Sequence, residues 1–333
     1  MTELRRVLVT GGAGYIGSVV VDQLLERGLH VVILDDLSRG HRAAIARGAA
    51  FVQGGVGDRE LVTAVLTRER IDAIVHLAAY ALVAESVAQP LMYVTNNVTA
   101  ARVLLEAAVR AGVRRFVFSS SCAVYGHPAT VPITEDTPQA PVNPYGETKR
   151  DFERVLADVA PSAGLEVVSL RYFNASGATA LRGEHHEPET HLIPNVLAAA
   201  LGTHPAGAVD VFGTDYPTPD GSAVRDYVHV TDIADAHVRA LDVRVKGEPV
   251  AVNLGTGAGH SVRQVIDAAR RVTGKTIPLR EQPRRPGDPP VLVAAVRRAA
   301  ELLEWRATHS SLENILDSAW RWHRAHPQGY RGG

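Results

Sequence analysis

The chain has 333 residues, 46% hydrophobic and 21% charged, with a formal net charge of −1. A chain of this length buries a large core and is expected to form a soluble globular protein of two lobes. The near-neutral balance excludes broad electrostatic attraction to nucleic acid or an anionic membrane, so any bound anion must be held by local basic residues.

The single cysteine, Cys122, excludes an intramolecular disulfide and fits a reducing compartment. No signal-peptide pattern precedes the first apolar run, and no run approaches the ~18–20 apolar residues of a membrane span. A cytoplasmic location is therefore expected.

In chain order, residues 7–10 predict a buried strand, followed by Gly11-Gly-Ala-Gly14-Tyr-Ile-Gly17 and a helix over 19–27 that Gly28 ends. Residues 31–34, 74–77 and 116–118 predict further strands. Residues 97–110 carry Val98, Ala101, Leu104, Leu105 and Ala108 at helical spacing. Continuous β-branched runs alternating with helices predict an α/β fold, a Rossmann-type doubly wound parallel sheet covered on both faces. From Arg171 the pattern changes. Residues 177–191, 205–221 and 283–290 predict long loops in a smaller α/β lobe that closes over a ligand. The expected division is a cofactor domain over 1–173 and a substrate domain over 174–333, with interleaving left open.

Gly11, Gly14 and Gly17 lie between a strand and a helix, the context in which such glycines let a pyrophosphate approach a helix N-terminus. Asp35 follows Gly17 by 18 residues, at the end of the second strand. A carboxylate there accepts hydrogen bonds from an adenosine ribose and repels a 2′-phosphate, which favours NAD over NADP. An isolated Asp35 or Asp36 could equally cap a turn.

Tyr145 and Lys149 are four residues apart, so on a helix they share a face. A free phenol titrates near ~10, and lowering it by about 3 units requires about 4 kcal/mol in favour of the phenolate. An ammonium at ~5 Å supplies roughly 3 kcal/mol at an effective dielectric of ~20. Lys149 is expected to lower the Tyr145 pKa, with a nicotinamide cation supplying the rest. Ser119, Ser120 and Ser121 end the strand upstream, where sheets of this type bind ligands. The group reads as a proton-transfer site beside a hydride acceptor.

The chain resembles the extended short-chain dehydrogenases/reductases, and among them the UDP-galactose 4-epimerases. The likeness rests on Gly11–Gly17, Ile33-Leu-Asp-Asp36, Ser119-Ser-Ser-Cys-Ala-Val-Tyr125, Asn143-Pro-Tyr145-Gly-Glu-Thr-Lys149, Leu170-Arg-Tyr-Phe-Asn174, residues 212–229 and Pro283-Arg-Arg285-Pro-Gly-Asp288. The resemblance implies NAD as cofactor, held by Gly11, Gly14, Tyr15, Ile16, Gly17, Asp35, Tyr145, Lys149 and Tyr172. It implies a UDP-sugar substrate epimerised at C4 through a 4-keto intermediate, with Tyr145 as base and acid, Lys149 as its modulator and Ser121 on the sugar O4. Asn174, His191 and Leu192 would meet the nucleotide-sugar, Phe212 the uracil, Arg225 and Arg285 the diphosphate, Asp288 the uridine ribose and Leu292 the sugar. It also implies a homodimer, through residues 97–110 and 145–159.

Gly55 and Ala81 stand where relatives carry an aspartate and a lysine near the cofactor, which points to looser NAD retention. His191 replaces a usual asparagine. Leu292 replaces a bulkier residue, which leaves UDP-N-acetylhexosamines open as substrates, along with UDP-glucuronate and UDP-pentoses. A nucleotide-sugar dehydratase or decarboxylase is a rival, but it needs acid and base where Cys122 and Ala123 stand. A non-catalytic NAD-binding regulator would tend to lack the Tyr145/Lys149 pair. Residues 183–191 carry His and Glu ligand types, but the spacing fits no closed structural site; a solvated loop and no metal are expected.

Overall fold

The computed structural model describes residues 5–245, 247–285 and 287–332. Pro286, part of the 283–288 motif, lies outside the described residues. The first strands are β1 (Arg6–Thr10), β2 (His30–Asp35), β3 (Ala50–Gln53), β4 (Ala73–His76), β5 (Arg115–Ser121), β6 (Glu166–Tyr172) and β7 (Asn174–Ser176). Then come β8 (Val209–Phe212), β9 (Val224–Arg225), β10 (Tyr227–His229), β11 (Val250–Leu254), β12 (His260–Ser261), β13 (Leu279–Gln282) and β14 (Val291–Leu292). The helices are α1 (Tyr15–Glu26), α2 (Arg59–Arg68), α3 (Val83–Ala88), α4 (Pro90–Val94), α5 (Ala101–Arg110) and α6 (Pro144–Ala163). They continue with α7 (Leu192–Leu201), α8 (Val230–Ala240), α9 (Val262–Thr273), α10 (Arg297–Leu303) and α11 (Leu312–Ala325).

Seven strands form one parallel sheet in the order β11-β6-β5-β4-β1-β2-β3. The order reverses between β1 and β4, and the carboxyl ends of the strands at such a reversal are where doubly wound sheets take their ligands. Burial on both faces explains the unbroken apolar runs. One face packs α1 and α8 around Val20, Val21, Ile33, Val75, Ile233 and Val238. The other packs α2, α5 and α6 around Leu34, Val62, Leu104, Phe116, Phe118 and Phe152. Each such side chain contributes roughly 1.5–3 kcal/mol by leaving water.

The smaller lobe has its own core, in which α7, α9 and α11 cover the parallel pair β8 and β13. One difference from the sequence reading has a physical cause, and the interleaving that reading left open is visible in the sheet. Residues 205–221, expected as loop, contain β8, because Val209 and Val211 turn into that core among otherwise turn-forming residues. β11 and α8 lie after residue 173 yet complete the first sheet and cover α1, so the two halves interleave. Among the described residues no helix is long and apolar enough to cross a membrane.

Candidate active site

Gly14 precedes α1 without a side-chain cap, so the backbone N–H groups of the first helical turn are available to an anion. A Cβ on Gly17 would lie 2.1 Å from the Gly11 carbonyl oxygen, so the loop closes this tightly only with glycine there. The Tyr15 hydroxyl donates to the Gly177 carbonyl at 2.6 Å, tying α1 to the 177–191 segment. Ile16 packs against the core. Asp35 ends β2; its two oxygens accept from the Ala13 and Leu37 N–H groups, both at 2.9 Å. Burial raises its pKa, and those two hydrogen bonds oppose the rise. Asp35 therefore does brace a turn, but each carboxylate oxygen keeps a lone pair for a ribose hydroxyl. The bare helix N-terminus, the glycine cradle and this carboxylate fit a dinucleotide.

Asn143 caps α6 by accepting from the Gly146 N–H at 2.9 Å, and Pro144 occupies the first turn. The inward face of α6 carries Tyr145, Thr148, Lys149, Phe152 and Leu156, so Tyr145 and Lys149 share a side as their spacing predicts. A Cβ on Gly146 would meet the Ala123 carbonyl oxygen at 2.5 Å, so glycine lets α6 press directly on the turn after β5. The three strand-end serines separate. Ser121 hydrogen-bonds Tyr145 and accepts from the Ala123 N–H at 3.2 Å. Ser120 donates to Glu153 at 2.5 Å, and Ser119 donates to His237 Nε2 at 2.7 Å. Donation follows because His237 Nδ1 must itself donate to the Ile233 carbonyl, at 2.9 Å, and burial lowers its pKa to about 4.

The electrostatics depart from expectation. Burial raises the Tyr145 pKa well above its ordinary value; the hydrogen bond from Ser121 pulls the other way without reversing it. Lys149 Nζ donates to the Ser119 carbonyl at 2.8 Å and lies 5.8 Å from the Tyr145 ring centroid. Burial brings its own pKa down to about 7. A lysine near half-protonation exerts less field than a full ammonium, and burial dominates at the phenol. Beside it, His76 is held neutral, its pKa lowered to about 3 by burial and by Lys149.

The nucleotide-sugar candidates gather on β9, β14 and the segment ending at Asp288. Arg225 pairs with Asp288 at 2.5 Å, and the Arg285 guanidinium stacks 3.9 Å from the Phe212 ring centroid. Leu292 sits in register with Arg225 and packs with Cys122, Tyr125 and Phe173. Burial pushes the Cys122 thiol up to about 12 despite the opposing charge of Arg225. Asn174 opens β7, and its N–H donates to the Asp226 carbonyl at 2.9 Å. Tyr172 pairs with Ser121 across the β5–β6 ladder, and burial pushes its pKa up to about 12.

His191 departs from the group. It precedes α7, with Leu192 next to it, but its ring turns to Glu184 at 2.8 Å and Glu189 at 3.1 Å. Residues 183–191 are consequently not a solvated loop. Glu184, His186, Glu189 and His191 bring one ligand atom each within 4.8 Å of the others, and the Glu184 side chain is only 6% exposed. The carboxylates hold His186 at about 9 and His191 at about 10 against the effect of burial.

Supporting residues escape a sequence reading. Buried Asn97 holds the Tyr80 backbone through both side-chain atoms and donates to Thr148 at 3.2 Å, fixing the middle of α6. Behind Ser120, Glu153 forms a 2.5 Å ion pair with Arg171, which also donates to the Tyr125 hydroxyl at 2.9 Å. Glu153 lies one helical turn after Lys149, the one signal available in advance.

Residues 7–255 match the NAD dependent epimerase/dehydratase family. The chain is 48% identical to the UDP-glucose 4-epimerase of Lactobacillus helveticus over 328 residues, covering 98% of this chain and 99% of the relative. It is similar to the crystal structure of UDP-glucose 4-epimerase from Brucella ovis in complex with NAD, at a TM-score of 0.91 and 44% identity over 95% of this chain and 98% of that one. It is also similar to the Bifidobacterium longum UDP-glucose 4-epimerase in complex with NAD+ and UDP, at a TM-score of 0.92 and 38% identity over 97% and 99% of the two chains.

Proposed function

The chain belongs to the NAD dependent epimerase/dehydratase family, and from that membership we infer that it inverts C4 of a UDP-hexose, interconverting UDP-glucose and UDP-galactose. One observation supports the residue assignments: Tyr145 and Lys149 share the buried face of α6, and Lys149 Nζ donates to the Ser119 carbonyl near the carboxyl end of β5.

When bound, NAD supplies a reversible hydride acceptor. Gly11, Gly14 and Gly17, the first turn of α1 with Tyr15 and Ile16, Asp35, and the Tyr145–Lys149–Tyr172 group hold it. Tyr145 takes the O4 proton from one epimer and returns it to the other, while Ser121 bonds O4. Burial keeps the phenol protonated until positive charge gathers beside it, so deprotonation is confined to the loaded site. Lys149, fixed on the Ser119 carbonyl, gives part of that charge. Arg225 and Arg285 hold the diphosphate as planar forks, with Phe212 at the uracil, Asp288 at the ribose and Asn174 and Leu192 alongside. Held by this end alone, the 4-keto sugar can turn and present its other face. A dehydratase is disfavoured because Cys122, titrating near about 12 within an apolar cluster, and Ala123 offer neither acid nor base.

UDP-N-acetylhexosamines belong to the proposed range, since Leu292 is small and its partners are apolar. A homodimer is also proposed. The apolar faces of α5 and α6 are spent in the core, but Val83, Val87, Leu91 and Val94 form an exposed stripe on α3 and α4. A cytoplasmic location completes the reading, with Cys122 buried and unpaired.

The test is to incubate the purified chain, without added NAD, with UDP-glucose deuterated at C4. UDP-galactose retaining the label is expected; loss of the label to solvent would reject internal hydride return. Tyr145→Phe is expected to lower kcat by ~10²–10⁴-fold in a folded protein, and full activity there would reject the assigned base.

A further inference from the structure

We propose that Glu184, His186, Glu189 and His191 form a binding site for one divalent transition-metal ion, with zinc the best match. Two imidazoles and two carboxylates are the mixed nitrogen and oxygen donors such ions take, whereas calcium and magnesium prefer oxygen alone. Four donors around zinc, at bond lengths of about 2.0–2.2 Å, form a tetrahedron with edges of roughly 3.3–3.5 Å. His186 Nδ1 lies 3.4 Å from Glu184 and 3.5 Å from Glu189, at those edges already. His191 Nδ1 lies 2.8 and 3.1 Å from the same two carboxylates, and one donor atom from each of the four residues lies within 4.8 Å of the others, so side-chain rotation would close the set around an ion. A divalent ion would displace the protons that the carboxylates hold on His186 and His191, and the two carboxylates with two neutral imidazoles would then balance its charge.

A second observation points the same way. His186 Nδ1 is fully buried, faces both carboxylates, and has no hydrogen-bond partner among the described residues. At 3.4 and 3.5 Å from the two carboxylates it is held in loose ion pairs rather than by a hydrogen bond, and a metal that displaced its proton would satisfy the nitrogen and both carboxylates together.

The surroundings are braced as a ligand cage requires. Arg182 holds Asp22 of α1 through two hydrogen bonds, at 2.8 and 3.0 Å. The Gly183 N–H donates to the Tyr330 hydroxyl at 3.1 Å, and Asn195 donates to the His191 carbonyl at 2.8 Å. A cavity of about 510 Å³ lined by Glu184, His186, Glu189, Trp322, His323 and His326 gives an ion a route from solvent. The site would pin the segment that starts just after Asn174 and ends at Leu192, which makes His191 a positioning residue rather than a substrate contact.

The experiment strips the full-length protein with a chelator and titrates it with Zn²⁺ or Co²⁺, reading stoichiometry, dissociation constant, melting temperature and the visible spectrum of Co²⁺. One ion per chain, the intense visible bands of four-coordinate Co²⁺, and a melting temperature raised by Zn²⁺ but not by Mg²⁺ are expected. Glu189→Gln and His186→Ala should each weaken binding by roughly 100-fold, since losing an outer-shell partner alone costs about 10- to 100-fold. A folded wild-type chain that takes up neither ion, or whose Co²⁺ bands and melting temperature do not respond, overturns the proposal. So does binding that survives unchanged in both variants.

Discussion

Lys149 shows how one buried residue carries a measurable signature. In the cofactor-free chain its pKa stands at about 7, against ~10.4 for an exposed lysine. Between those values the unfolded chain holds one proton more than the folded chain, so stability rises with pH across the window, by up to about 1.4 kcal/mol per pH unit. Below about pH 7 the cost of burying the cation is fully present. Lys149→Met removes this titration and retains the stem. Urea unfolding of the cofactor-free proteins should therefore find the variant the more stable near pH 6 and its advantage shrinking towards pH 10, as wild type gains and the variant does not. Parallel profiles would refute this account of the lysine. Tyr145, Lys149 and Ser121 were legible in the sequence because helical spacing and a strand end place them without knowledge of distant contacts. Ser119 with His237 was not, because those partners lie 118 residues apart and only the folded sheet joins them. The burial of Tyr145 and Lys149, which opposes charge on both, was not legible either, since spacing reveals the charge but not the desolvation.

At the level of elements, the contact between α6 and the turn after β5 sets the position of the phenol. Gly146→Ala would place a methyl 2.5 Å from the Ala123 carbonyl oxygen and 3.0 Å from its carbon, both backbone atoms with little freedom to yield. The expected result is a loss of ~1–3 kcal/mol in stability. A fall in kcat of ~10²-fold is expected with it, because an ångström of displacement at a reacting group is costly. Unchanged kcat and melting temperature would sink this explanation of the glycine. Strands β1, β2, β4 and β5 were readable as β-branched runs because both faces are buried. β3 was not, since its Ala50 and Gln53 are exposed and it carries no continuous apolar signal. The 183–191 segment misled for the opposite reason. Its polar composition suggests solvent, yet packing on α11 buries Glu184, and no local pattern discloses that.

For the molecule as a whole, the stripe on α3 and α4 is the exposed apolar surface most suited to a second copy. Leu91, 80% exposed, lies within it. Leu91→Glu should convert a dimer to a monomer in light scattering while leaving the fold intact; a wild-type chain that is monomeric at micromolar concentration would remove this surface from consideration. The domain division was the least legible feature, because β11 and α8 carry no mark that assigns them to the first sheet rather than the second lobe. A fragment ending at residue 173 would leave β6 as an open edge and the buried face of α1, including Val19 and Val20, uncovered. It is expected to aggregate and to show no cooperative melting; a soluble fragment that bound NAD would contradict this. The same late-arriving strand matters during synthesis. Until Leu254 has left the ribosome, the nascent chain cannot finish its sheet, so the cell must keep a long, sticky and incomplete intermediate out of trouble for most of the time translation takes.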